Sequence, residues 1–232
     1  MIGIVIPAHN EEAWLGATLQ AASQAAHHPD LRGEDVQTVV VLDACTDESA
    51  TIASSWPVTI LTMQERNVGK ARALGAEHLL ALGARWLAFT DADTLVSPSW
   101  LTTQLSLRAQ AVCGSISVDD WSPNGPHGAF LQRHFSETYQ DTDGHRHIHG
   151  ANLGVSAEAY RRAGGFPPLA CSEDVALVNA LMACGIEIAW SAAPRVVTSA
   201  RLQARARGGF GDTLLAIIQQ AEHQVRPLDL GV

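Results

Sequence analysis

Short apolar runs alternate with segments of helical period across the first hundred or so residues, and that alternation constrains the fold more than any other feature. "IGIVIP" (Ile2–Pro7), "VQTVVVLD" (Val36–Asp43), "VTILTM" (58–63) and "WLAFTD" (Trp86–Asp91) read as strands, each bounded by polar residues. Between them lie three helical segments. One runs from Glu11 to about His27, and a second, "TDESATIASS", is capped by Thr46. The third, "NVGKARALGAEHLLALGA", shows Ala71, Leu74, His78 or Leu79, and Leu82 on one face and is closed by Gly83. Strands separated by helices of this length imply βαβ units and a mostly parallel sheet, hence an α/β fold. In such sheets ligands bind beyond the carboxyl ends of the strands. Three strands end there in polar residues, as "PAHNE", "DACTD" and "DAD".

The rest of the chain is read less regularly. Ser97-Pro98 predicts an N-cap with proline at the first helical position, opening a helix to about Ala109. "AVCGSISVD" reads as a strand, and the weakly patterned stretch from Trp121 to His149 holds a helix near Ala129–Tyr139. That stretch contains His127, His134, His145, His147 and His149; the last three alternate, so on a strand they would share one face. "GANLGVS" is strand-like, Ser156 caps "SAEAYRRAGG", and Ser172 caps "EDVALVNALMACG". "IEIAWS" and "RVVTS" predict two short final strands. "GDTLLAIIQQAEHQV" predicts an amphipathic helix with Leu214, Leu215, Ile218 and Val225 apolar. Its polar face is not basic, which favours packing over membrane binding. No repeat or linker stands out, so one domain is expected.

Composition excludes several classes. Hydrophobic residues make up 47% of the 232 residues and charged ones 17%, a globular rather than disordered balance. A net charge of −9 argues against nucleic acid as a partner. No run approaches the roughly 20 apolar residues of a membrane span. The N-terminus lacks the basic region of a signal peptide, so the expectation is a cytoplasmic protein, with peripheral membrane association left open. Lys70 is the only lysine, and Arg195, Arg201, Arg205 and Arg207 cluster near the end. Such a cluster in an acidic chain fits either a phosphate-bearing ligand or a solvated loop. Cys45, Cys113, Cys171 and Cys184 show no CxxC spacing and read as buried or incidental thiols.

Three constellations carry candidate chemistry. Asp91 and Asp93 flank Ala92 at a strand end, where an extended backbone points both carboxylates the same way. Hard divalent ions take such oxygens; the alternative is an Asx turn into the next helix. A haloacid-dehalogenase-type reading is discounted, because Thr94 follows the second aspartate directly and the motif lies far from the N-terminus. The second constellation is "PAHNEE" with Asp43, a residue placed to hydrogen-bond a nucleotide. No GxGxxG or P-loop accompanies it, and Asn10 could serve only as a helix N-cap with Glu11 and Glu12 in the first turn. The third is Glu173-Asp174 after Ser172, either a structural first-turn pair or the seat of a base.

Taken in order, these motifs resemble the family 2 glycosyltransferases of the GT-A fold. "VIPAHNEE" is similar to the family's P-x-x-N-E turn, and "VVVLDACTDES" to its V-D-D-x-S-x-D segment, with leucine for the first aspartate. "NVGKARALG" is similar to its N-x-G helix and "FTDADT" to its DxD. The stretch from Gly150 to Gly185 is similar to the later G-x-N … G-G-F … E-D block. The resemblance implies a Rossmann-like three-layer α/β/α domain with a mixed, mainly parallel sheet. Residues 1–96 would form a nucleotide-binding half, 97–210 an acceptor and catalytic half, and 211–232 a C-terminal helix. It further implies a nucleotide-diphosphate sugar donor, a hydroxyl acceptor and a divalent metal, Mn²⁺ or Mg²⁺. Pro7, Ala8, Asn10, Glu11, Asp43, Asn67, Lys70, Asp91, Ala92, Asn152, Arg205 and Arg207 would bind the donor, with Gly150 and Ala151 bordering donor sugar and acceptor. Asp93 would hold the metal, with Asp91 beside it, and Asp174 would be the general base with Glu173 next to it. Arg201, Arg205 and Arg207 are expected to close on the diphosphate from a glycine-hinged loop. The alternatives are a sugar-phosphate nucleotidyltransferase and a nucleotide-sugar-binding protein without catalysis.

Overall fold

The computed structural model describes residues 1–203 and 208–225. An eight-stranded mixed sheet runs β3-β2-β1-β4-β7-β6-β8-β5. The strands are β1 (Ile2–Ala8), β2 (Val36–Asp43), β3 (Thr59–Met63), β4 (Trp86–Phe89), β5 (Thr94–Val96), β6 (Ala111–Ser117), β7 (Leu153–Ser156) and β8 (Ile188–Thr198). β3, β2, β1 and β4 are parallel, and β6 pairs β8 in parallel; β7 runs antiparallel to β4 and β6, and β5 to β8. The helices are α1 (Leu15–Ala26), α2 (Ser49–Ser54), α3 (Val68–Ala81), α4 (Trp100–Ser106), α5 (Gly128–Thr138), α6 (Ala157–Arg162), α7 (Glu173–Ala183) and α8 (Phe210–Val225).

Strand alternation splits the core into two layers. Ile2, Ile4 and Ile6 join Val40 and Leu42 on one face, where Leu15, Leu19 and Ala22 of α1 and Trp100 of α4 cover them. Val5, Val39, Val41 and Phe89 face the other way, against Ala76 and Leu79 of α3 and Leu177 and Leu181 of α7. A third cluster joins Leu131 of α5 to Leu214 and Ile218 of α8.

Several local expectations are corrected. α1 starts at Leu15, not Glu11. Asn10 sits in the left-handed region at φ 55°, and its side-chain oxygen accepts from Thr46 N at 2.7 Å, tying two strand-end loops together instead of capping a helix. α2 starts at Ser49, whose N–H is taken by Asp47 at 3.1 Å, so Thr46 is not its cap. Thr94–Val96 forms an unexpected strand on β8, which delays α4 to Trp100 and leaves Ser97-Pro98 short of it. Ser172 is left-handed and makes no capping bond. The two expected final strands are one, β8, with a bulge where the pairing to β6 shifts between Gly114 and Ser115. α3 is also rotated from the expected face: Leu82 is exposed, while Gly69, Ala71, Arg72, Gly75, Ala76 and Leu79 are buried. Small residues win that face because the helix lies close on β1, where a Cβ at Gly75 would press on Val5. The rotation carries Arg72 inward.

Ser156 does cap α6, accepting from Ala159 N at 3.2 Å. Ser156→Ala is expected to cost about 1 kcal/mol, read as a lowered urea midpoint at constant slope.

Candidate active site

The carboxyl ends of β1, β2 and β4, the N-termini of α3 and α7, and α5 and α8 enclose a cavity of about 920 Å³. Pro7, Ala8, Glu11, Asp43, Asn67, Asp91, Ala92, Asp93, Gly150, Ala151, Glu173, Asp174 and Arg201 line it. Chain segments as distant as Pro7 and Asp174 thus meet at one sheet edge.

The Asp91–Asp93 pair is delivered by a turn instead of an extended strand end. Thr94 N donates to Asp91 O at 3.2 Å, and both carboxylates still reach the cavity. Each aspartate has its own arginine. Arg72, 3% exposed, ion-pairs with Asp91 on one side and Glu173 on the other. Its guanidinium lies so close to the Gly150 backbone that a Cβ there would run into it. Arg201 holds the Glu11 carboxylate with both guanidinium nitrogens and lies 3.0 Å from Asp93. It is therefore already engaged at the sheet edge, unlike the free loop arginine expected. Burial pushes the Asp93 carboxyl up to about 7, against the pull of Arg201.

Asp174 accepts from Gly150 N at 2.7 Å and from its neighbour Val175 N at 2.8 Å, leaving lone pairs toward the cavity. Glu173, by contrast, is buried and committed to Arg72. Asp43 lines the cavity but is largely consumed by the backbone: its oxygens accept from Glu65 N, Arg66 N and Asn67 N at 2.6–2.8 Å. Those bonds shape the turn into α3, where the Asn67 side chain caps the helix by accepting from Lys70 N at 2.9 Å. Gly69 passes the Leu169 backbone there with an N–H···O of 3.0 Å, an approach with no room for a side chain.

Three expected donor ligands do not face the cavity. Asn10 is spent on Thr46. Lys70 pairs with Glu65 at 2.6 Å on the surface. Asn152 is fully buried behind the wall, where it accepts from the Trp100 indole at 2.8 Å. Its amide donates to the Ser115 and Pro194 carbonyls, 2.7 and 2.5 Å away, at the register shift between β6 and β8. Arg205 and Arg207 lie outside the described residues.

Sequence reasoning missed Arg72, His9, Arg66 and the role of the histidine stretch. The available signal for Arg72 was one arginine on a face otherwise made of glycine and alanine. His145, His147 and His149 share a side without forming a strand, stacking ring on ring at 5.5 and 6.0 Å. Tyr139 stacks on His147 at 4.1 Å and on Phe135 at 4.6 Å. Burial holds His149 far below the usual imidazole range, at about 4. An unfolded chain takes up this proton as pH drops below about 6.5, and the folded chain resists until about 4. Stability is therefore full above pH 6.5 and declines through that window, by up to about 3 kcal/mol from this residue. Urea midpoints taken across it should show the decline in the parent and a shallower one in His149→Asn.

Among the described lining residues, six carboxylates (Glu11, Asp43, Asp91, Asp93, Glu173 and Asp174) face three arginines (Arg66, Arg72 and Arg201). That excess suits a cation more than a bare anion. Two aspartates on one turn are the hard oxygen donors a divalent ion takes, but Arg72 and Arg201 already pair with them, and no three His, Cys, Asp or Glu side chains among the described residues are grouped to hold a metal.

Comparison with known proteins agrees with this architecture. The sequence model described as "Glycosyl transferase family 2" matches residues 3–164. Solved structures superpose at low identity. S. aureus TarS aligns over 100% of this chain and 46% of its own, with TM-score 0.63 and 13% identity. The Pyrobaculum calidifontis mannosyltransferase PcManGT, solved with GDP-Man and Mn²⁺, aligns over 97% of this chain and 61% of its own, with TM-score 0.62 and 18% identity. M. tuberculosis glucosyl-3-phosphoglycerate synthase, solved with Mn²⁺, UDP and phosphoglyceric acid, aligns over 100% and 81%, with TM-score 0.60 and 17% identity. The chain thus spans about half the length of TarS and more of the other two. A comparison with curated protein sequences found no match. With its mixed, mostly parallel sheet, its flanking helices and the family match over most of its length, the chain belongs to glycosyl transferase family 2 and has the GT-A fold.

Proposed function

We propose that this glycosyltransferase moves a sugar from a nucleotide-diphosphate sugar to an acceptor hydroxyl, with inversion, using a divalent metal and Asp174 as base. The observation that carries the reading is that Asp174 and the Asp91–Asp93 turn line one cavity, linked through Arg72 and Glu173. The nucleoside would lie over Pro7, Ala8, Asp43 and Asn67 at the strand ends. UDP and UDP-GlcNAc in TarS and GDP-Man in PcManGT indicate the donor class.

Asp91 and Asp93 would hold the metal, which when bound supplies positive charge for the departing diphosphate. Arg201, fixed at Asp93, adds to that charge. Asp174 takes the acceptor's hydroxyl proton while the acceptor oxygen bonds to the anomeric carbon. The bond from that carbon to the phosphate oxygen breaks, and its electron pair leaves with the nucleoside diphosphate. Attack on the face away from the leaving group inverts the centre. Arg72 keeps Glu173 out of this proton transfer.

The test is thermal unfolding with UDP, GDP, UDP-GlcNAc and GDP-Man, with Mn²⁺ or with EDTA. A donor at a hundred times its Kd stabilises by about 2.7 kcal/mol, roughly a 5–10 °C rise for a chain of this size. The rise should appear with Mn²⁺ and vanish with EDTA. No Mn²⁺-dependent shift with any nucleotide would overturn the reading. Among the described residues, no helix is long and apolar enough to cross a membrane.

A further inference from the structure

On the glycosyltransferase reading, the acceptor reaches Asp174 from the part of the cavity that the donor does not fill. That part is built by α5, residues 147–149 and α8. Its apolar wall is Leu131, Phe135, Tyr139, Leu214 and Ile217, with His134, Thr138 and Thr213 among them. The charged lining residues among those described come instead from the strand ends, α3, α7 and Arg201. Burial holds His147 and His149 below the ordinary imidazole range.

Tyr139 and His149 form a fixed polar pair in that wall. Ile116 N–H donates to the Tyr139 hydroxyl oxygen at 2.9 Å, and His149 Nε2 lies 3.0 Å from the same oxygen. Because that oxygen already accepts from Ile116 N–H, we assign the phenol proton to Nε2. That places the imidazole proton of neutral His149 on Nδ1. Nδ1 has no hydrogen-bond partner among the described residues, and His149 lines the cavity. The next residue, Gly150, gives its N–H to Asp174 at 2.7 Å, and the Asp174 charge acts on the His149 ring. A fixed N–H donor beside a carboxylate acceptor matches one group well: a hydroxyl, which accepts from the first and donates to the second.

We infer that the acceptor is a neutral alcohol on an apolar scaffold, its hydroxyl held between His149 Nδ1–H and Asp174 and its scaffold against Leu131, Phe135 and Ile217. An isoprenoid alcohol and an aryl alcohol share this chemistry.

The test follows nucleoside diphosphate release from the nucleotide sugar that stabilises the protein most, with Mn²⁺, on adding geraniol, naphthalenemethanol, glycerol or phosphoglycerate. Geraniol or naphthalenemethanol is expected to raise release at least about tenfold over the acceptor-free rate, and whichever does so identifies the scaffold. His149→Phe should raise that acceptor's KM about tenfold with the donor KM moving far less. His149→Asn, whose amide N–H replaces Nδ1–H, should keep most of the acceptor affinity, and Ile217→Glu should lose it. Preference for phosphoglycerate or glycerol overturns the inference alone, as does an unmoved acceptor KM in His149→Phe. No turnover of any nucleotide sugar overturns the proposed function, and this inference with it.

Discussion

Asp174→Asn is expected to lower sugar transfer by roughly 10²–10⁴-fold while leaving nucleotide affinity within about a factor of two. The amide keeps the size of the carboxylate, and its oxygen can still accept from Gly150 N or Val175 N, so the loop and α7 should hold their positions. What is lost is the group that takes the acceptor's proton. Initial rates of nucleoside diphosphate release with acceptor, paired with thermal shifts on adding nucleotide and Mn²⁺, separate the two effects. Undiminished transfer would remove Asp174 from the role of base. The neighbouring Glu173 is a poor substitute, because its carboxylate is buried and already committed to Arg72.

Arg72→Met is expected to destabilise the fold by about 3–5 kcal/mol, because it leaves the buried Glu173 carboxylate and Asp91 without their cation. At about 2–4 °C per kcal/mol for a chain of this length, the melting temperature should fall by roughly 6–20 °C. Much of that loss is the cost of an unpaired buried charge, so Arg72→Met with Glu173→Gln should recover part of it. Four proteins (parent, both single variants and the double) form a cycle read by urea unfolding. Strict additivity would mean that the pair is not coupled. Gly150 belongs to the same unit, since its missing Cβ is the space that the guanidinium occupies.

Much of the fold was legible because its signals are local. Alternation in "IGIVIP" and "VQTVVVLD" sends successive residues to opposite faces of the sheet, and both runs are strands within a residue or so of the expected bounds. The order of strand ends also brought Pro7, Asp43, Asp91 and Asp93 to one edge, since parallel βαβ units stack their carboxyl ends. Caps were less legible. Ser156 behaves as its type suggests, but Ser172 sits in the left-handed region and makes no capping bond, and the Asp47 carboxylate takes the α2 end expected of Thr46. β5 was missed because three residues carry little pattern and its partner, β8, is a hundred residues away.

The sequence by itself determined the α/β alternation, the strand ends that carry the acidic residues, and the family to which the chain belongs. Which of those residues reach the cavity was decided by the tertiary structure. Asp43 faces it but is spent on three backbone N–H groups, Asn152 is drawn behind the wall by the Ser115 and Pro194 carbonyls, and Lys70 stays on the surface with Glu65. Arg72 enters because α3 lies on the sheet through its smallest residues, which turns the arginine inward onto Asp91 and Glu173. The physical reason is common to all of them. A buried polar group takes whatever partner the packed chain puts within reach, and those partners, separated by up to a hundred residues, have no signature in the local sequence.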